Sequence, residues 1–282
     1  MSGSYNPVLM PRPRRSAVQK YHDRVAGRYD HSYDDAFWKW HDGLTWDHLK
    51  GFLPDRVDAP VVDLGCGTGK WGMKLLKSGF PVTFVDISHQ MLDQVRLAVE
   101  PLGKPAIARA RFIRADLSDL ATLDEGHFAL ATAFGEPIGC TPDPFVTLRQ
   151  IKRILAPGGL LVATMDNRLA AIDFYLEKGD PAVLTRFLRS GRTHWLTKNA
   201  DEQFEITTYT PGELRRLLRR AGFEVTDLIG KTVLPMRRHR ALLGDSAARM
   251  RWAKIERSLW RDADAIGRAA HIQFAARALP DT

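Results

Sequence analysis

From residue 60 onward, short apolar runs alternate with longer segments whose apolar positions recur at helical spacing. PVVDL (60–64), Val82–Asp86, Arg109–Ala115, Phe128–Ala133 and Leu160–Met165 read as five strands. Between them lie helical patterns. Lys70–Ser78 is one, stopped by Gly79. A second follows Ser88 and turns Met91, Leu92, Val95 and Val99 inward. A third, Pro144–Leu155, carries Phe145, Leu148, Ile151 and Leu155 on one face before APGG (156–159) breaks it. Strands separated by single helices predict an α/β fold with parallel pairing and helices on both sheet faces, hence three layers.

The rhythm changes at both ends of this region. Residues 16–54 are dense in aromatic side chains, and Phe37, His41, Leu44 and His48 share one helix face until Pro54 ends the segment. After the fifth strand, 167–209 reads as helix around 169–189, then a hairpin of HWLT, the polar turn KNADE and FEITTY. This is expected to be a cap inserted into the main domain. Thr210-Pro211 starts a further helix, supported by Glu213 and ended by Gly222. Phe223–Ile229 is a strand, about 246–264 a long helix, and 270–278 a last strand. Residues 1–15 read as a disordered tail, so the expected organisation is tail, helical segment 16–54, and one domain over 55–282.

Composition narrows the partners. Across 282 residues the net charge is +8, and much of the excess falls late, in Arg215, Arg216, Arg219, Arg220 and the arginines beyond 236. A solvated helix face explains these, and no RNA-binding signature accompanies them. The longest uncharged apolar run, GGLLVATM (158–165), is far short of the ~20 residues a membrane-spanning helix needs. Prolines and arginines stand where a signal peptide would have its apolar core, so a cytoplasmic protein is expected. Cys66 and Cys140 form neither a disulfide framework nor a metal pair. His22, His31, His41 and His48 are close in sequence but lack cysteine partners or HxxxH spacing, and no metal is expected.

The segment VVDLGCGTGKWG (61–72) carries the chemistry. A bare turn between a strand and a helix brings backbone close to a ligand. The phosphate loop of NTPases fails, because Trp71 stands where Ser or Thr must hold the ion. The dinucleotide fingerprint GxGxxG succeeds only from Gly67, through Gly69 and Gly72, with Asp86 following 19 residues on. That match leaves Asp63 and Gly65 unexplained and keeps a nicotinamide-dependent oxidoreductase open.

VVDLGCGTG also resembles the nucleoside-binding loop of class I S-adenosylmethionine-dependent methyltransferases. VDISHQML (85–92), RFIRADLSDL (111–120), HFALATAFG (127–135), RQIKRILAPGGLLVAT (149–164) and TPGELRRLLRRAGFEV (210–225) are similar to its later motifs, in order. The resemblance implies a Rossmann-like sheet of seven strands ordered 3-2-1-4-5-7-6, with the last strand antiparallel. It implies S-adenosylmethionine as cofactor and S-adenosylhomocysteine as product. Asp63 would meet the ammonium group, and Gly65, Cys66, Gly67 and Gly69 would underlie the ribose and methionine. Asp86 would bind both ribose hydroxyls, with Ile87, Met91 and Leu117 near the adenine and Asp116 on its amino group. Ala133 closes the fourth strand beside the donor. Tyr29, with Tyr21, resembles the tyrosines of the family's lid.

The acceptor is less defined. AFGEPIG replaces the [DN]PP[YF] motif of many base methyltransferases, and no nucleophilic cysteine pair is present. A small-molecule acceptor, methylated on O, N, S or C by in-line displacement, is the expectation. The candidate catalytic residues are His41 or His194 as a general base and Glu136, just past the fourth strand, as a substrate contact. A methyltransferase acting on RNA or protein through the basic late helices is the alternative.

Overall fold

The structure is a computed structural model and describes residues 15–195 and 197–280. All but the last residue of the expected tail, together with Leu196 in the expected hairpin, lies outside the described residues.

Two helices precede the sheet. α1 (Ala17–Val25) starts at Ser16, whose hydroxyl accepts the Gln19 amide, and α2 (Ala36–Leu49) starts at Asp35, which accepts the Trp38 amide. The alternating region follows as β1 (Val61–Leu64), α3 (Lys70–Lys77), β2 (Val82–Asp86), α4 (His89–Val99), the short α5 (Lys104–Ile107) and β3 (Ala110–Arg114). Then come β4 (Phe128–Ala133), α6 (Pro144–Ile154) and β5 (Leu155–Asp166). Beyond β5 are α7 (Ile172–Glu177), α8 (Pro181–Ser190), and the strands β6 (Arg192–Trp195) and β7 (Phe204–Thr207). The chain ends with α9 (Pro211–Arg220), β8 (Phe223–Lys231), α10 (Ser246–Leu259), α11 (Ala263–Ile266) and β9 (His271–Ala278).

Seven strands form one sheet in the order β3-β2-β1-β4-β5-β9-β8, while β6 and β7 form a separate antiparallel pair. β9 runs antiparallel to both of its neighbours, β5 and β8. The resemblance implied this order and this single reversed strand, and both are present. Strand order reverses at β1, which pairs parallel with β2 on one side and β4 on the other. In such sheets ligands bind in the crevice beyond the carboxyl ends of the strands at that reversal.

Successive residues of β1 point to opposite faces. Val61 packs with Phe84, Leu75 and Val95 on one face; Val62 packs with Leu148, Ile151 and Phe128 on the other. α2 is part of a third apolar cluster, in which Phe37, Trp40 and Leu44 pack on Ile229, Met236 and Trp260. These aromatics therefore anchor α2 to the β8 end of the sheet. Below them His48 Nδ1 accepts the Gln273 amide at 2.9 Å, so its Nε2–H donates to Asp227 at 3.2 Å.

Several element boundaries differ from expectation. The helix expected near 169–189 is divided, because Gly179 takes φ 67° and Asp180 caps a new helix at Pro181. The helix expected over 246–264 stops at Leu259, and Asp262 caps α11 by accepting the amides of Asp264 and Ala265 at 2.9 Å. β5 begins at Leu155 rather than Leu160, because Leu155 already pairs with Phe128 across a register shift.

Candidate active site

The glycine turn has a steric cause. Gly65, Gly67 and Gly69 all take positive φ. A β-carbon on Gly65 would stand 2.5 Å from Pro137 Cβ. Gly72, in the first turn of α3, has another reason: a β-carbon there would meet the Phe84 ring at 2.3 Å. The four glycines let the turn pass the β4 loop and let α3 lie close on β2.

Two carboxylates hold this turn. Asp63 is buried in β1, where its oxygens accept the Gly72 amide and the Thr132 hydroxyl, each at 2.8 Å. Burial pushes its carboxyl up to about 6, against those two hydrogen bonds. Asp86 accepts the Gly67 amide at 2.9 Å through one oxygen and the Ser88 amide at 2.8 Å through the other. Burial raises the Asp86 carboxyl, while neighbouring His22 and the two amides pull it down.

Beyond the carboxyl ends of β1 to β4 lies a cleft of about 450 Å³. Its floor is Gly65 and Gly67, and Asp86, Ile87, Asp116 and Leu117 follow from the ends of β2 and β3. Tyr29 closes one side, its ring packed on Tyr33 at 4.9 Å and its ionisation raised mainly by burial. The other half is walled by Phe134, Pro137, Cys140, Pro142 and Phe204. Acids at the rim suit hydroxyl and amino groups and repel a pyrophosphate. The Gly72 amide, which a phosphate at the helix N-terminus would seek, is already held by Asp63. The donor set therefore fits an unphosphorylated nucleoside rather than a dinucleotide.

Of the residues named from sequence, Tyr29, Gly65, Gly67, Asp86, Ile87, Asp116 and Leu117 meet at this cleft. Several others do not line it. Asp63 lies beneath the turn and holds α3 rather than facing a ligand. Cys66 and Gly69 point into the sheet–helix packing, and burial raises the Cys66 thiol. Met91 is fully buried against Val25 and Ala26, so it holds α1 rather than an adenine. Ala133 is buried in β4, one residue short of the wall that Phe134 begins. His194 is exposed on β6. His41 is buried away from the cleft among Phe37, Trp38 and His271, and burial drives its pKa down to about 3. A group so shifted is no base for a reaction at neutral pH.

Other residues of the cleft escaped the sequence reading. Arg192, Gln203, Phe204 and Glu205 reach it from β6 and β7, across more than a hundred residues of chain. His22 reaches it from α1, where its Nδ1–H donates to the Val18 carbonyl at 2.8 Å. α1 and the β6–β7 pair are tied by Arg24, which donates to both oxygens of Glu202 at 2.8 and 2.7 Å. Tyr21 packs on Trp195 and Phe204 in the same contact. Glu136 follows β4 with φ 60°, and both its amide and that of Gly135 donate to the Thr164 hydroxyl.

Comparison with known proteins agrees with the fold. Residues 37–228 match the model of a family described as a methyltransferase domain. A demethylmenaquinone methyltransferase of Lactococcus lactis is 28% identical over 224 residues, covering 76% of this chain and 84% of that protein. A ubiquinone biosynthesis O-methyltransferase of Xanthomonas oryzae is 28% identical over 183 residues, 65% of this chain and 70% of that protein. Among solved structures, a SAM-dependent methyltransferase of Methanosarcina mazei superposes with a TM-score of 0.58 at 19% identity, covering 83% of this chain and 98% of the other. The CcbJ methyltransferase of Streptomyces caelestis superposes with a TM-score of 0.60 at 18% identity, covering 94% of this chain and all of the other. The family model spans more than half of the chain and the sheet has the order its motifs implied: the chain belongs to this methyltransferase family and is a class I enzyme dependent on S-adenosylmethionine.

Proposed function

We propose that the chain methylates a small aromatic acceptor of the phenol or quinol type. One observation carries this reading. The acid-rimmed half of the cleft continues directly into an apolar half walled by Phe134, Pro137, Pro142 and Phe204. Flat apolar walls suit a ring, and two relatives are named for steps on menaquinone and ubiquinone precursors.

In this reading Asp86 binds the ribose hydroxyls through the lone pairs that Gly67 and Ser88 leave free. Asp116 accepts from the adenine amino group, and Ile87 and Leu117 flank the base. Tyr29 stands at the methionine end. When bound, the cofactor supplies a methyl group made electrophilic by its sulfonium. The chain's own task is to hold an acceptor atom in line with that methyl and keep water out. Orientation of this kind contributes up to about 7–11 kcal/mol. α1 and the β6–β7 pair serve as the cover, joined over the cleft by Arg24 and Glu202.

Calorimetry with S-adenosylhomocysteine and with NAD⁺ tests the donor half. Transfer of a labelled methyl group to a panel of phenols and hydroquinones, beside tRNA and protein, tests the acceptor half. Label entering only macromolecules would overturn the acceptor assignment and favour the basic late helices as a docking face.

A further inference from the structure

Glu136, Asp166 and His271 are far apart in sequence and meet beside the cleft. Glu136 stands between Gly135 and Pro137, both of which line it. Asp166 ends β5, His271 opens β9, and the two are register partners across the sheet. One carboxylate oxygen of each acid and one ring nitrogen of His271 lie within 4.8 Å of one another. The Asp166 and His271 side chains remain 33% and 19% exposed, so the cluster borders open space rather than sealed core.

The cluster is compensated only in part, through space, by one buried ammonium. Among the described residues, no hydrogen bond reaches either carboxylate; His271 Nε2 stands 3.8 Å from Asp166, and burial holds the pKa of that imidazole down. Lys231, buried nearby, attracts both carboxylates through space but gives its hydrogen bond to the Thr45 hydroxyl at 3.0 Å. Two imidazole nitrogens are buried without partners: Nδ1 of His271 and Nε2 of His41. Their rings stand edge to face, 5.6 Å apart, and His41 is only 8% exposed. Adjacent carboxylates and unpartnered imidazoles are costly together unless a cation joins them.

We propose that Glu136, Asp166 and His271 form a binding site for one divalent transition-metal ion beside the acceptor half of the cleft. Two oxygen donors and one imidazole form a mixed set that suits Mn²⁺ or Zn²⁺; Mg²⁺ and Ca²⁺ favour oxygen alone. Three protein ligands leave a position that a hydroxyl-bearing acceptor can occupy. None of the three residues is assigned to the nucleoside, so this site stands or falls separately from the donor reading.

The test uses the full chain freed of metal by chelation. Mn²⁺ is titrated while the free-ion electron paramagnetic resonance signal is followed, and Zn²⁺ is titrated by calorimetry. One ion per chain is expected, with affinity lowered about tenfold or more in Glu136→Gln and in His271→Gln. S-adenosylhomocysteine affinity is expected to be unchanged in both variants, which also shows that they are folded. Asp166→Asn replaces either variant that fails this check. No binding of either ion by the wild type at millimolar concentration, or equal binding by the variants, overturns the site. Metal binding without S-adenosylhomocysteine binding would leave this site intact and refute the donor assignment.

Discussion

The Gly67 amide donates to Asp86 Oδ2 at 2.9 Å, which locks the turn after β1 to the last residue of β2. The Ser88 amide holds the other oxygen at 2.8 Å. The carboxylate is thus oriented before any nucleoside arrives, and its remaining lone pairs are aimed by backbone rather than by mobile side chains.

Asp86→Ala is expected to lower affinity for S-adenosylhomocysteine by about 10–100-fold, the worth of one or two hydrogen bonds to a charged group. The fold remains, because β2 is buried by its apolar residues. Calorimetry on both proteins measures it, and wild-type affinity in the variant would refute the ribose assignment.

Gly65→Ala forces a β-carbon to 2.5 Å from Pro137 at a φ of 63°. Gly67→Ala has a similar φ of 54° but nothing nearer than the Tyr29 ring at 4.0 Å. The two variants separate strain from collision. Gly67→Ala is expected to cost about 1 kcal/mol, and Gly65→Ala about 1–3 kcal/mol more. Because Pro137 also walls the apolar half, Gly65→Ala alone should raise the acceptor KM. Urea unfolding and steady-state kinetics report both effects; equal costs would mean that Pro137 moves freely.

Much of this site was legible because its residues follow strand ends. Short continuous apolar runs locate β1, β2 and β4, and an acid or glycine at the end of such a run must lie at the sheet's carboxyl edge. That logic leads to Gly65, Gly67, Asp86 and Asp116, which line the cleft. A motif position does not say which way a side chain turns: Met91 packs on α1, and Asp63 accepts the Gly72 amide of α3. Residues 194–209 read as a hairpin, but nothing in them reads as a wall of the cleft. Their placement depends on the Arg24–Glu202 contact, and side chains 178 residues apart leave no local periodicity. The Glu136–Asp166–His271 cluster was hidden for the same reason.

Arg24 and Glu202 give a kinetic prediction. Glu202 is 4% exposed and accepts two hydrogen bonds from Arg24 Nε, while Lys20 and Asp201 add a weaker pair at 3.7 Å. Glu202→Gln keeps the shape and removes the charge. Release of S-adenosylhomocysteine is expected to quicken several-fold, with a smaller change in its association rate. Stopped-flow displacement measures this. An unchanged release rate would mean that α1 and the β6–β7 pair do not gate the cleft.

His41 predicts the acid limb of stability. Its ring packs on Trp38 and His271, and burial, aided by Lys231, lowers its pKa from 6.5 to about 3. Asp42, with an oxygen 3.3 Å from Nδ1, opposes that shift only in part. Between those two values the unfolded chain holds a proton on this ring that the folded chain refuses. Stability from His41 is therefore complete above pH 6.5 and drains as pH falls towards 3, at up to about 1.4 kcal/mol per pH unit. His41→Gln removes the titration while keeping a polar group of similar size. The variant should be less stable than the wild type at pH 7.5, and the gap should narrow steadily at pH 5.5 and 4.5. Urea midpoints at the three values test this. A gap that stays constant would show that His41 takes up its proton in the folded chain at its ordinary pKa.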